Sequence, residues 1–270
     1  ADLSTFQAAH PPTHCSTQQC PHSAAVSSAL CSALITALPQ TLCSALQATH
    51  CSANQAALQS PLQPAICSSN SPAQQPADSY PHQSAFHATV AAALEANPDA
   101  KRILDCGTGS GALLLTLLRE LPAAHGVGID RSAAALEVAR DNAARLGLAD
   151  RVELRRADWH VPPWRDGLGS FDLVIANPPY VESGADLDPS VSDYEPAEAL
   201  FAGRDGLDDY RVLVPQLPAL IAPSGVVVLE IGALQADAVS QIAARAGFAS
   251  ELRPDLAGRA RALVLRKTCD

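Results

Sequence analysis

A short apolar run that ends in a rigid polar tip lies at residues 171–180, Phe-Asp-Leu-Val-Ile-Ala-Asn-Pro-Pro-Tyr, where five of the six positions before Asn177 are hydrophobic. A run this short and this apolar predicts a strand buried on both faces of a parallel sheet. Pro178 and Pro179 fix φ and stop the strand, which leaves Asn177 and Tyr180 in a stiff loop at its carboxyl end. Comparable runs at 102–106, 126–130, 152–158 and 225–231 predict four more strands. Between them the spacing turns helical. Leu113, Leu114, Leu117, Leu118 and Leu121 share one face before Pro122; Leu136, Ala139, Ala143 and Leu146 share another, between the candidate N-cap Ser132 and Gly147. Residues 90–95 read as the end of an earlier helix, closed by Asn97-Pro98. Alternating strands and helices predict an α/β fold with a doubly wound, mostly parallel sheet. Runs at 248–252 and 260–266, around the turn-rich 254–258, predict an antiparallel C-terminal hairpin completing one edge.

This patterning does not extend to the first third of the 270 residues. Residues 1–94 contain no Lys, Arg or Glu, Asp2 and Asp78 are their only acidic groups, and all 18 basic residues lie beyond position 100. The Ala-rich stretch 23–38 lacks the charged outer face of a surface helix, and Pro61, Pro64, Pro72 and Pro76 then interrupt the chain. The composition predicts a low-complexity, largely disordered region over residues 1–88 and a folded domain over 89–270. Six of the eight cysteines (Cys15, Cys20, Cys31, Cys43, Cys51 and Cys67) fall in the first part. Cys15 and Cys20, with His14 and His22 beside them, loosely approach metal-ligand spacing, but the others follow no paired pattern. Unpaired thiols and no metal site are the expectation. No basic leader precedes an apolar stretch, and no run approaches the roughly 18 residues of a membrane span, so a reducing cytoplasm is expected, with no membrane partner. The net charge of −10 argues against a broad nucleic-acid surface. Arg151, Arg155 and Arg156 read as a solvated strand face.

Candidate chemistry gathers at predicted strand ends, where open α/β sheets bind ligands. Gly107-Thr-Gly-Ser-Gly111 follows the first strand; its glycines let backbone approach a ligand closely, and a helix N-terminus follows. With Ala112 and with Asp130 at the next strand end, the loop also satisfies a dinucleotide-binding pattern, so a nicotinamide cofactor competes at this point. Asp130 is placed to accept hydrogen bonds from a ribose diol. Asp105 could meet a positively charged amino group, or serve as a loop anchor. Asp158 and Trp159 are placed to touch an adenine edge and face. Asn177-Pro-Pro-Tyr180 decides against a nicotinamide, because hydride transfer has no use for such a loop, which resembles the catalytic loop of S-adenosylmethionine-dependent methyltransferases that modify an amide or exocyclic amino nitrogen. The Asn177 side-chain oxygen and the Pro178 carbonyl can accept hydrogen bonds from a substrate NH₂, and Tyr180 can pack on a flat amide. Positioning and electrostatics then supply most of the catalysis of an in-line methyl transfer.

On these residues the chain resembles the bacterial peptide chain release factor glutamine N5-methyltransferases over residues 89–267. The resemblance rests on Asp105-Cys-Gly-Thr-Gly-Ser-Gly111, Asn177-Pro-Pro-Tyr180, Tyr194-Glu195-Pro196, Ala199-Leu200, Gly203, Asp205-Gly206-Leu207 and Tyr210-Arg211. It continues through Leu229-Glu230-Ile231-Gly232, Gln235, Asp255-Leu256-Ala257-Gly258-Arg259 and Arg261. It implies a Rossmann-like sheet, S-adenosylmethionine as cofactor, and methylation of the glutamine in a release factor's Gly-Gly-Gln tip. By motif, cofactor contacts fall on Gly107, Thr108, Gly109, Ser110, Gly111, Asp130, Trp159 and Asn177. Substrate contacts fall on Asn177, Pro178, Pro179 and Tyr180, with Asn177, Pro178 and Tyr180 catalytic. Adenine-N6 methyltransferases of nucleic acid use a similar loop and remain the alternative. Residues 1–88 depart from the family, which carries a charged helical docking domain there. They look like a coding region read in a shifted frame, which implies an enzyme poor at selecting its substrate.

Overall fold

The computed structural model describes residues 81–185 and 197–268. The expectations for residues 1–80 lie outside these, as does Tyr194-Glu195-Pro196. In chain order the elements are α1 (Pro81–Ala96), β1 (Arg102–Cys106), α2 (Ala112–Glu120), β2 (His125–Asp130), α3 (Ala133–Arg145), β3 (Val152–Arg156) and β4 (Phe171–Ala176). Then follow α4 (Ala197–Leu200), α5 (Asp208–Leu213), β5 (Ile221–Glu230), α6 (Ala236–Arg245), β6 (Phe248–Pro254) and β7 (Ala260–Lys267).

Seven strands form one sheet in the order β3-β2-β1-β4-β5-β7-β6. The five strands β1 to β5 pair in parallel, and β7 pairs antiparallel with both β5 and β6. This is the mostly parallel sheet with a closing hairpin that the apolar pattern predicts, in the Rossmann-like form that the resemblance implies. β4 occupies the centre because it has the composition for it: Phe171, Leu173, Val174, Ile175 and Ala176 are all buried. Its one polar residue has a structural task. Asp172 Oδ2 accepts the backbone N–H groups of Lys101 and Arg102, both at 2.9 Å, and so fixes where β1 begins beside it.

Helix α2 buries more than the predicted stripe, since Leu115 and Thr116 are covered along with Leu113, Leu114, Leu117 and Leu118. Ser132 caps α3 as expected, its hydroxyl accepting from the Ala135 N–H at 3.2 Å. Strand boundaries differ most instructively from the sequence reading at β3 and β5. β3 ends at Arg156, two residues early, because after a last bond from Ala157 N to Asp130 O the chain turns: Asp158 Oδ1 accepts the His160 N–H at 2.8 Å, a side-chain turn that competes with the ladder. β5 starts at Ile221, four residues early, pairing with Phe171 and then bulging before Val226 resumes beside Leu173. Pro223 is accommodated in that irregularity, and the Pro-Ser-Gly sequence there reads as a turn although a strand passes through it.

The hairpin turn after β6 is built on Asp255. Burial pushes its carboxyl up, but the Arg259 backbone N–H, the Arg259 guanidinium and the Ser84 hydroxyl together outweigh burial and hold it below the usual carboxylate range. Ser84 belongs to α1, so this one carboxylate joins the first described helix to the last hairpin. Among the described residues no helix is long and apolar enough to cross a membrane.

Candidate functional site

The parallel registers bring the strand ends together. Cys106 at the end of β1 pairs with Ile129 on one side and Ala176 on the other, and Asp130 pairs with Arg156. Gly107 and Asn177, the next residues after Cys106 and Ala176, therefore leave adjacent strands side by side, with backbones about 5 Å apart. This is where the strand order reverses, since the chain runs from β1 towards β2 and β3 on one side and from β4 towards β5 on the other.

The loop from Gly107 to Gly111 turns on left-handed backbone, with φ of 76°, 55° and 82° at its three glycines. Most of its N–H groups donate to the end of β2. Those of Gly107 and Thr108 both donate to Ile129 O at 2.9 Å, that of Gly109 to Asp130 Oδ2 at 2.9 Å, and that of Gly111 to Thr108 O at 2.8 Å. Ser110 O accepts from Asn142 Nδ2 at 3.0 Å. Gly109, where a Cβ would meet nothing within 4 Å, presents open backbone, whereas a Cβ on Gly107 or Gly111 would meet Trp159 or Leu115. The Thr108 hydroxyl donates to Asp105 Oδ2 at 2.7 Å, so this side chain shapes the floor of the loop.

Asp105 lies beneath. It is 1% exposed, and its Oδ1 is buried with no hydrogen-bond partner among the described residues. Burial, helped by the negative charge of Asp130, pushes its pKa up to about 7 against the opposing Thr108 hydroxyl and Leu114 backbone N–H. A buried carboxylate oxygen left without a donor is costly unless a ligand supplies one. Asp130 uses its two oxygens on Gly109 N and Ser132 N, at 2.9 and 2.8 Å, and each keeps a further lone pair. Beside it opens a cleft of about 560 Å³, walled by Ile129, Arg131, Ala157, Asp158, Pro162 and Trp164 among others. Trp159 is turned to the glycine loop: a Cβ on Gly107 would lie 3.1 Å from its ring. Its indole N–H donates to Asp209 Oδ1 at 3.0 Å. Asp209, which the sequence reading did not single out, is buried on α5.

On the other side of the seam Asn177 is exposed, and its side chain makes no hydrogen bond among the described residues, while Pro178 is buried and Tyr180 half-buried. The loop is held from behind. Gln235 Nε2 donates to Tyr180 O at 2.9 Å and to Gly206 O at 3.2 Å, while Gln235 Oε1 accepts the Gly232 N–H at 3.1 Å. Val181 N then bonds Leu200 O, and Ala202 N bonds Val181 O. Sequence reading named Gln235 and Gly206 only as parts of a motif; their shared task shows in the fold alone.

A family model described as a methyltransferase domain matches residues 97–245. The chain belongs to that methyltransferase family. The release factor glutamine methyltransferase of Rhodospirillum rubrum is 44% identical over 169 residues, 62% of this chain and 51% of that protein. The release factor glutamine methyltransferase of Cereibacter sphaeroides is 47% identical over 168 residues, 61% of this chain and 59% of that protein. The chain thus spans only about half the length of the curated relatives it matches. An O-methyltransferase family protein from Burkholderia thailandensis shares the fold, with a TM-score of 0.51 at 19% identity over 69% of this chain and 56% of that one. The seam between β1 and β4 is accordingly the candidate active site of a methyltransferase domain, with the glycine loop on one side and the Asn177 loop on the other.

Proposed function

We propose that the chain transfers a methyl group from S-adenosylmethionine to the side-chain amide nitrogen (N5) of the glutamine in the Gly-Gly-Gln tip of peptide chain release factors, a cytoplasmic modification of the termination machinery. The observation that carries this reading is the exposed Asn177, its side chain bonded to none of the described residues, set beside the glycine loop and followed by a loop clamped through Gln235.

The residues present fit the cofactor. S-adenosylmethionine, when bound, supplies an electrophilic sulfonium methyl. Asp105 Oδ1 is a buried acceptor with no hydrogen-bond donor among the described residues, suited to the ammonium of the methionine moiety. The remaining lone pairs of Asp130 suit the ribose diol, and the loop from Gly107 to Gly111 leaves room at Gly109 for a close approach, with Trp159 as its wall. An amide nitrogen is a poor nucleophile because its lone pair is delocalised into the carbonyl. Asn177 Oδ1 and the Pro178 carbonyl accept the two N–H groups of the substrate amide, aim its nitrogen and favour the positive charge that develops on it. Tyr180 packs on the amide plane. No strong base is needed, since nitrogen loses its proton readily once alkylated.

Labelled cofactor with release factor or with DNA tests the assignment. Label on the release factor glutamine is expected; label on DNA alone would reverse the choice of acceptor, and calorimetry showing tighter binding of NAD would overturn the cofactor.

Asp105 makes a second prediction. Its folded-state pKa of about 7 lies above the ordinary 3.8. The folded form therefore binds this proton more tightly, a stabilisation fully present below about pH 4 and lost as the pH rises through 7. A bound ammonium favours the carboxylate instead. Cofactor binding at pH 6 is thus expected to release roughly one proton, and at pH 8 almost none. Calorimetry in buffers of different ionisation enthalpy measures this, and Asp105→Asn should remove the release. Equal proton release by that variant would dissociate Asp105 from the cofactor.

A further inference from the structure

Trp159 leaves β3 in a stretch with no ladder to hold it, yet its ring rests on Gly107, the first residue of the glycine loop. Something must fix that ring. Its backbone is tied by Gln216, whose Nε2 donates to Trp159 O at 3.1 Å and to Val212 O at 2.8 Å. Its side chain has a single polar handle, the indole N–H, and that handle is taken by Asp209 Oδ1. Asp209 is itself well anchored. The neighbouring Tyr210 is fully buried, and its hydroxyl donates to Glu230 O at the end of β5 at 2.7 Å. A continuous series of contacts therefore runs from the end of β5 through Tyr210, Asp209 and Trp159 to Gly107.

We infer that Asp209 is a positioning residue of the cofactor site, setting the plane of the Trp159 ring over Gly107 through the indole hydrogen bond. The inference rests on the reading of the glycine loop as the S-adenosylmethionine site. Asp209 does not touch the loop itself; it acts through the tryptophan. A purely structural acid would be an odd choice here, because burial raises the Asp209 pKa despite the Trp159 hydrogen bond and the nearby His160 and Arg131. The acceptor oxygen is what the position uses. An amide oxygen in the same place would serve equally well, which separates geometry from charge.

The chain has two tryptophans, so Trp164→Phe leaves Trp159 as the only indole; because Trp164 Nε1 itself donates to Gln216 Oε1 at 2.7 Å, each variant is compared with the Trp164→Phe parent. In that background Asp209→Ala is expected to red-shift the emission and to weaken S-adenosylmethionine binding about tenfold, as measured by calorimetry. Asp209→Asn, which keeps the acceptor, should restore both to within about twofold. Trp159→Phe keeps a ring but lacks the N–H, so adding Asp209→Ala to it should weaken binding no further, a double-mutant cycle that isolates the pair. The inference is overturned if Asp209→Ala leaves emission and affinity unchanged, or if its cost is equally large beside Trp159→Phe. If the unsubstituted chain does not bind S-adenosylmethionine, the cofactor reading fails and the positioning role with it, even where the emission shift still reports the hydrogen bond.

Discussion

Replacing Asn177 by alanine is expected to lower methyl transfer by about a thousandfold while changing cofactor affinity by less than about fivefold. The separation follows from the geometry. The Asn177 side chain is exposed and makes no hydrogen bond among the described residues, so its removal takes nothing from the fold. Stability should stay within about 0.5 kcal/mol, as for other surface substitutions. The reaction, in contrast, loses the acceptor that orients the substrate amide and meets the charge growing on its nitrogen. Single-turnover rates, cofactor calorimetry and thermal unfolding of the same preparation distinguish these effects. Turnover unimpaired by the substitution would remove Asn177 from the mechanism.

A second large effect is expected at a residue that never meets either substrate. Gly206 sits at φ 67°, and a Cβ there would overlap the Tyr180 carbonyl oxygen and lie 2.6 Å from Gln235 Nε2. Gly206→Ala therefore incurs the left-handed backbone penalty of about 1–2 kcal/mol and must also push apart the bridge that holds the Asn177 loop. A total destabilisation of about 2–4 kcal/mol is expected in denaturant unfolding. Transfer should fall about a hundredfold, because a shift of about 1 Å in a positioning loop has that cost. Cofactor affinity should hardly change, since the glycine loop lies across the seam. Equal losses of cofactor affinity and turnover would show that Gly206 supports the whole site and not the acceptor loop.

Much of this site was legible in the sequence because its signals are local. Five apolar residues before Asn-Pro-Pro give a buried strand with a rigid tip, and β1 and β4 fall at the residues the pattern predicts. Ser132 is a cap by its own chemistry. What the sequence hides is of two kinds. Some local signals mislead: Pro-Ser-Gly in β5 has turn chemistry, yet pairing with Phe171 overrides it, and Asp158 ends β3 through a hydrogen bond to His160 that periodicity cannot register. Other features are long-range. Asp209 and Trp159 are 50 positions apart, and Gln235 and Tyr180 are 55, so no window of sequence contains both partners. An acid directly before a buried tyrosine on a short helix was the only hint that Asp209 had a partner elsewhere. Residues 1–80, where composition alone spoke, have no described structure to compare with it.

The reversal of strand order between β1 and β4 has a consequence for how such a protein changes over time. Apart from Asn177, which the resemblance assigns to both sides, the groups proposed to touch the donor come from residues 105–159, and those proposed to hold the acceptor come from residues 177–235. Each half of the reaction is thus encoded in its own uninterrupted stretch. Substitutions in the later stretch can re-tailor the nucleophile without disturbing the earlier one, so a lineage can explore new acceptors while inheriting its methyl source intact. That independence has limits at Asp209 and Gln216: both are encoded with the acceptor but hold Trp159, the wall of the donor site, and drift there would be felt on both sides.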